Sequence, residues 1–384
     1  MKRYIVLFVI VVALAPFVMG VGAHRLMLAQ REALAAQPMR VFWEAWELLD
    51  TSLYGDLASP QQRTYGAIRG TLELLGDPYT IFLEPQSGEV ERDRLAGAYG
   101  GVGVDVSRDG DGNVLLFPYD DSPAQAAGVL PHDRLIAVDA ISVAQLSLDE
   151  IAVLMRGEVG TQVTLTLARP PTPPFDLLVT LGEIRIPSVV YRILDQDAHI
   201  GYLQVKSFTS NTAEETSAAI EALLSAGATR LVLDLRDNGG GLVSPALETA
   251  DLFLDGGVLL YEERRDEETT FSGHAGGIAV DVPVVVLVNR STASAAEIVA
   301  GALQTRERAI LIGTPTFGKG SVQLIFGLSD GSSLHVTSAV WLLPNRRRVE
   351  PHGLSPDIEV VWDQQQQLED PQLARAIRYL QTGE

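Results

Sequence analysis

Two short apolar runs, Leu231 to Leu235 and Val282 to Val288, constrain this chain more than anything else in it. Neither alternates polar with apolar residues as a half-exposed strand would. A strand apolar on both faces has to be covered on both faces, which is the situation inside a parallel sheet flanked by helices. Each run is followed by a loop of small and polar residues and then by helical spacing. The first leads through Arg236-Asp237-Asn238-Gly239-Gly240-Gly241 to a helix from about Pro245 to Leu254, and the second through Ser291-Thr292-Ala293-Ser294 to another. With a strand over His199 to Val205 and an amphipathic helix over Thr212 to Ala226, the order argues an α/β domain. In such domains, ligands and reacting groups collect at the C-terminal ends of the strands.

The loop before the second of these helices carries the sharpest chemical signal. Ala296, Val299, Ala300 and Leu303 repeat at helical spacing, so Ser294 stands near a helix N-terminus. Free backbone N–H groups and the helix dipole favour developing negative charge there. The small neighbours Ala293, Ala295 and Ala296 leave room for a substrate carbonyl. The alternative is that Ser291, Thr292 or Ser294 simply caps the helix. A serine hydroxyl needs a base to act as a nucleophile, and Lys319 is the candidate. The chain has 29 lysines and arginines, of which only Lys2, Lys206 and Lys319 are lysine. Arginine stays protonated in proteins, whereas a buried lysine can lose its proton. A lysine kept between Gly318 and Gly320 therefore suggests a removable proton; a chance lysine in a polar turn is the competing account.

The triple glycine Gly239-Gly240-Gly241 lacks both Gly-x-Gly-x-x-Gly and a Walker lysine, so it is a poor nucleotide cradle. Backbone N–H groups aimed at a carbonyl oxygen under attack suit it better. No Gly-x-Ser-x-Gly elbow and no His-Glu-x-x-His occur, and the six histidines show no metal spacing. A Ser–His–Asp arrangement with His335 or His352 as base stays open. No metal and no cofactor are expected.

Residues from about 26 to 97 read as helical. Val41, Phe42, Ala45, Trp46, Leu48 and Leu49 form one apolar face, and Ala67, Ile68, Thr71, Leu72, Leu74 and Leu75 another, with the aromatics expected in a core. Residues from about 98 to 183 change to short strands. Gly101-Val102-Gly103-Val104 leads into the first of them, and a glycine-flanked loop of this kind can hold a terminal carboxylate while a peptide adds to the strand edge. A packing role for these glycines is the alternative. At the start of the chain, Lys2 and Arg3 precede an uncharged stretch from Tyr4 to Ala23. It is long enough to span a bilayer with its basic flank inside, and Val21-Gly22-Ala23 also resembles a cleavage site. Anchor and signal peptide both imply export of the rest, with the anchor preferred. The net charge of −20 argues against nucleic acid as a partner. Without cysteine there are no disulfides and no thiol chemistry.

Taken together, several motifs resemble those of the carboxyl-terminal processing proteases, also called tail-specific proteases (peptidase family S41), over roughly residues 40 to 362. They are Leu75-Gly76-Asp77-Pro78-Tyr79-Thr80, Gly101-Val102-Gly103-Val104, Asp121-Ser122-Pro123-Ala124, Gly201-Tyr202-Leu203, Leu233-Asp234-Leu235-Arg236-Asp237-Asn238, Ser291 to Ile298, Gly318-Lys319-Gly320-Ser321-Val322-Gln323 and Pro356-Asp357-Ile358. Each is weak alone; their order and spacing are specific. The resemblance implies a multidomain α/β protein: an N-terminal helical segment, an inserted PDZ β-domain with short helices, and a crotonase-like α/β serine protease core. The division expected is 1–25 anchor or signal, 26–97 helical, 98–183 PDZ, 184–362 with part of 26–97 the peptidase core, and 363–384 a polar tail or helix. By position, Ser294 matches the nucleophile, Lys319 the general base and Gln323 the residue orienting the lysine. Gly240 and Ala295 match oxyanion donors with Gly241 as the alternative register, and Gly101, Val102, Gly103 and Val104 match the carboxylate-binding loop. Asn-Gly-Gly-Gly departs from the usual Asn-Pro-Gly-Gly, and His132 stands where a Pro-Gly-Asp turn has glycine. The implied partners are protein substrates through their C-termini and a membrane through the N-terminal segment, with a homo-oligomer or adaptor protein open. Two other classes compete: an exported PDZ scaffold with a silent catalytic site, and an acyl-CoA enzyme of the related fold.

Overall fold

The computed structural model describes residues 39–363 and 369–384. These fall into two units, one through Thr71 and one from Leu72 onward. The expected membrane-length segment, Tyr4 to Ala23, lies outside the described residues. In the first unit residues 39–52 are helical, and a second helix, Pro60–Glu73, follows and crosses the unit boundary. Arg63 joins these helices, 2.8 Å from Asp50 and 4.3 Å from the Trp46 ring centroid. The expected apolar core here does not form: Val41, Trp43, Leu48 and Leu49 are exposed and Phe42 and Trp46 only half-buried. Leu74 and Leu75, also expected on an apolar face, are exposed too, because the helix ends at Glu73 before reaching them.

The sheet at the centre of the second unit has six strands. In spatial order they are Val189–Leu194, Asp197–Val205, Arg230–Asp234, Val284–Val288, Ile310–Gly313 and Ile358–Glu359. The first pair is antiparallel and every later pair parallel. Its two faces follow the two-residue period of the strands. Leu231, Leu233, Val284, Val286 and Val288 pack into a large cluster with the helices Thr212–Ser225, Val243–Asp251 and Ala295–Thr305. Val232, Val285 and Leu287 point the other way, onto Leu373 and Ala376 of the helix Pro371–Thr382. The C-terminal residues are thus a lid on the core and more than a polar tail. Without that helix one face of the sheet would be bare.

A second sheet contributes Leu260 and Trp341 to the large cluster on the first. The strand Ser333–Leu342 pairs with Ser321–Gly327 on one side and with both Ile81–Leu83 and Gly257–Glu263 on the other; Glu268–Gly273 completes it. Arg346 and Arg348, in the turn after Ser333–Leu342, are ion-paired to Glu268 and Glu263 of the neighbouring strands. Between Ile81–Leu83 and the central sheet the chain makes a separate β-domain with strands Val104–Arg108, Val114–Pro118, Asp133–Val138, Gln162–Ala168 and Phe175–Thr180, plus the short Ile141–Ser142. It has its own core, including Leu116, Ile151, Leu165 and Leu167. Ala98–Gly101 and Gly182–Arg185 pair at its base. His132 takes φ 70°, the left-handed conformation that glycine usually supplies, and packs its ring edge-on to Phe117, so the turn forms without the glycine.

Candidate active site

Two loops leave the C-terminal ends of adjacent parallel strands, and side chains lace them together. Asn289 accepts from Asp237 N–H at 3.0 Å and donates to its carboxylate at 2.9 Å. Thr292 Oγ1 donates to the Leu235 carbonyl at 2.8 Å, and Ala293 N–H donates to the Asn238 carbonyl at 2.9 Å. The lacing holds Ser294 at φ 55°, a conformation that serine adopts only when its surroundings impose it. Gly240 is why the loops can come so close. A Cβ there would stand 2.9 Å from the Ala293 carbonyl oxygen and 2.9 Å from Ser294 Cβ.

Glu297 is fully buried and ties the serine turn to the lysine loop. Its carboxylate accepts from Ser294 N–H at 2.9 Å, Lys319 N–H at 2.9 Å, Gly318 N–H at 2.8 Å and the Thr316 hydroxyl at 2.5 Å. Burial pushes its pKa above the ordinary value while these donors pull it back. Sequence reasoning saw Glu297 only as part of a motif. Three residues after a serine it reads as an ordinary helix-capping partner, and here its own N–H goes to the Ser294 carbonyl at 2.8 Å. The Phe317 N–H also donates to the Thr292 carbonyl at 3.0 Å, so Lys319 is fixed relative to Ser294 by backbone as well.

Ser294 and Lys319 line one cavity of about 180 Å³ with Glu91, Arg94, Gly239, Gly241, Gln323 and His335 among its other walls. Burial holds the Lys319 ammonium below its ordinary pKa, against the pull of Glu91, Asp77 and Glu350. Its Nζ stands 5.0 Å from the ring centroid of Tyr79, and no hydrogen bond joins it to the Ser294 hydroxyl among the described residues. The Asp77 turn places that ring: Asp77 accepts from Tyr79 N–H and the Thr80 hydroxyl, and Thr80 accepts from Thr337 N–H.

Of the expected oxyanion donors, Gly240 N–H is engaged by Asn238 Oδ1 at 2.9 Å. Gly241 N–H has no partner among the described residues, because Phe208 bonds the Gly240 carbonyl and Leu242 bonds Phe208. Ala295 is the first helical residue and its N–H is likewise unused. Gly241 and Ala295 are thus the two expected donors whose N–H groups are free among the described residues. Gln323 lines the cavity and its amide N–H donates to the Ser321 hydroxyl at 2.9 Å and to the Thr337 hydroxyl at 3.4 Å; no hydrogen bond joins it to Lys319 among the described residues. A bulge between Val322 and Gln323 turns both side chains toward the cavity. His335, the alternative base, also lines it; burial lowers its pKa and its Nε2 has no partner. His352 is exposed and is not among the residues lining the cavity.

Two further residues were missed as individuals. Asp234 and Arg236 form a buried bidentate pair, extended by the Tyr202 hydroxyl at 2.8 Å and by Gln372 and Asp370 at 2.9 and 2.8 Å. The pair anchors the root of the glycine loop to the C-terminal helix. Pro356-Asp357-Ile358 has a similar use, since the Asp357 carboxylate accepts from Leu311 N–H at 2.7 Å.

In the β-domain, Gly101, Val102, Gly103 and Val104 do lie together at the mouth of a groove. Val102 N–H is engaged by the Met155 carbonyl at 3.2 Å, whereas Gly103 N–H, at φ 73°, has no partner among the described residues. Val104 opens a strand paired on one side only.

Residues 199–360 match the family model for peptidase family S41, and residues 118–169 match a PDZ domain model. A carboxyl-terminal-processing protease of Picosynechococcus sp. is 36% identical over 320 residues, which cover 82% of this chain and 77% of the relative. A carboxy-terminal-processing protease of Bartonella bacilliformis is 35% identical over 326 residues, 83% and 74% of the two chains. Among solved structures, the photosystem II D1 C-terminal processing protease is similar at 33% identity and a TM-score of 0.49, covering 82% of this chain and 86% of that one.

Proposed function

The chain belongs to the carboxyl-terminal processing proteases of peptidase family S41, which are serine proteases, and from that premise we propose that it is an exported endopeptidase working through a Ser294–Lys319 dyad. The observation that carries the dyad is that one buried carboxylate, Glu297, binds the backbone of both residues at the edge of one cavity. Burial lowers the Lys319 pKa and so favours release of its proton. Neutral Nζ takes the proton of Ser294 Oγ as the oxygen attacks a peptide carbonyl. The N–H groups of Gly241 and Ala295 hold the oxyanion. Lys319 then protonates the leaving amine, and water, deprotonated by the same lysine, releases the acyl group from Ser294. Reaching the hydroxyl requires the lysine side chain to leave the Tyr79 ring by rotation about its four-carbon stem.

The PDZ domain presents the substrate's C-terminal end, which the free edge of Val104–Arg108 and the unused Gly103 N–H support. Export rests on the uncharged stretch from Tyr4 to Ala23 behind Lys2 and Arg3, with substrates then exported or membrane-attached proteins. The test is cleavage of an unfolded protein with an apolar C-terminus by the chain from residue 26 onward, compared with Ser294→Ala and Lys319→Ala. Cleavage lost in both variants is expected; cleavage surviving Lys319→Ala while lost in His335→Ala would replace the dyad with a histidine base.

A further inference from the structure

The PDZ groove has a charge pattern that its apolar floor does not require. A cavity of about 340 Å³ runs between the edge strand Val104–Arg108 and the helix Leu148–Leu154, with Val102, Val104, Val106, Leu148, Ala152 and Met155 among its walls. Two carboxylates, Asp105 on the strand and Asp149 on the helix, border it as well. Asp105 accepts from its neighbour Val106 N–H. Arg108, at the end of the strand, is committed elsewhere. It donates to the carbonyls of Gly112, Val143 and Leu146. Arg156 lines the cavity too, next to Met155 beyond the helix, 4.2 Å from the Tyr99 ring centroid and 3.9 Å from Asp93.

The groove has a direction. The loop end is where Val102 N–H meets the Met155 carbonyl and where Gly101 bridges Arg156. A peptide carboxylate at Gly103 would therefore put the last side chain beside Val102, Ala152 and Met155. Asp149 is six residues before Met155 along the helix, about 9 Å away. Two residues of extended peptide cover about 7 Å. The last and third-from-last side chains of a strand point the same way, here toward the helix. The penultimate side chain points to the opposite face, where Asp105 stands because Val104 and Val106 face the domain core.

We propose that this groove selects C-termini with an apolar last residue and a lysine or arginine third from the end, read by Asp149, with a weaker preference for a basic penultimate residue read by Asp105. This rests on the reading of the PDZ domain as the reader of substrate C-termini. Long basic side chains cover the apolar wall with their stems while their charge reaches the carboxylate. The pairs are solvent-exposed, so each adds a modest factor and its value is selectivity among C-termini.

The experiment uses the chain from residue 26 onward with Ser294→Ala and measures fluorescence anisotropy of labelled ten-residue peptides that share an apolar last residue. Lysine is walked through the last five positions, with alanine and glutamate controls, and one peptide carries a C-terminal amide. Lysine third from the end should bind about threefold tighter than alanine and about tenfold tighter than glutamate. Asp149→Asn should bring lysine and alanine within twofold at that position while leaving the penultimate preference in place. Equal binding of acid and amide would refute C-terminal reading itself. Acid-specific binding with a lysine preference that is absent, the same at every position, or intact in Asp149→Asn would overturn the proposal alone. The last two results would mean that the chain's overall negative charge attracts the peptide.

Discussion

The loops around Ser294 leave the ends of two central strands and the PDZ groove lies along an edge strand, and the two manage their hydrogen bonds in opposite ways. Around Ser294 nearly every polar group is engaged: Asn289, Thr292, Asn238 and Glu297 lace three loops into one unit. Among the described residues, the N–H groups of Gly241 and Ala295 stay unused beside the serine, as does His335 Nε2 in the cavity wall. In the groove an entire strand edge is open and Asp105 and Asp149 line it. The difference follows from the tasks. A transition state needs donors that cost no reorganisation when charge appears. A peptide that arrives as a strand needs an edge with no prior partner.

The comparison breaks most sharply at the serine. Ser294→Ala and Lys319→Ala should each lower cleavage by at least about 1,000-fold, while leaving peptide affinity in the groove within twofold. A matching loss of affinity would mean that the two regions are one coupled site. Glu297→Gln comes next. The amide would set N–H groups against donors that the carboxylate now receives, so stability should fall by about 3 kcal/mol, read from urea unfolding, and cleavage with it. A stable, fully active Glu297→Gln would show that the lacing is dispensable.

A pair of glycine substitutions sharpens the contrast at intermediate size. Gly240→Ala meets the Ala293 carbonyl at 2.9 Å with φ 100°, and should cost about 2 kcal/mol and most of the cleavage. Gly103→Ala meets Ser122 Cβ at 2.6 Å with φ 73°. It should weaken peptide binding yet spare turnover of a small ester that needs no PDZ domain. The smallest effect is electrostatic. With the Lys319 pKa below its ordinary 10.5, the unfolded chain binds that proton more readily than the folded one. Stability should therefore rise with pH across the interval from the folded-state pKa up to 10.5. The acid limb of the cleavage profile should lie below 10.5 and move lower still in Glu91→Gln, since Glu91 favours the charged lysine. Lys319→Met should raise the urea midpoint at neutral pH, because it removes a desolvated charge.

Much of this architecture is legible in the order of residues. Leu231 to Leu235 and Val284 to Val288 announce a sheet covered on both faces, and the helix Pro123–Ala127 has its Ser122 cap and its Gly128 stop written in the chain. The strand Ser321–Gly327 and the hairpin Gly257–Glu263 with Glu268–Gly273 are not legible in that way. Their residues are mixed in polarity, and their strand character depends on pairing with Ser333–Leu342 or with each other. Leu74 and Leu75 mislead because periodicity says which side chains share a face and not whether anything covers it.

Local sequence specifies the chemistry available: a serine at a helix start, a rare lysine among arginines, and glycines where backbones must meet. Those are properties of single residues and short spacings, which local sterics and propensity decide. Folding alone settles that Gly241 and not Gly240 keeps a free donor, that Glu297 bridges both catalytic loops, and that Asp105 and Asp149 border one groove. Glu297 reaches Lys319 and Asp105 meets Asp149 across tens of residues, and Asn238, which takes the Gly240 N–H, is itself held by the distant Val205 carbonyl; a hydrogen bond or a shared wall exists only once packing has brought its two sides together.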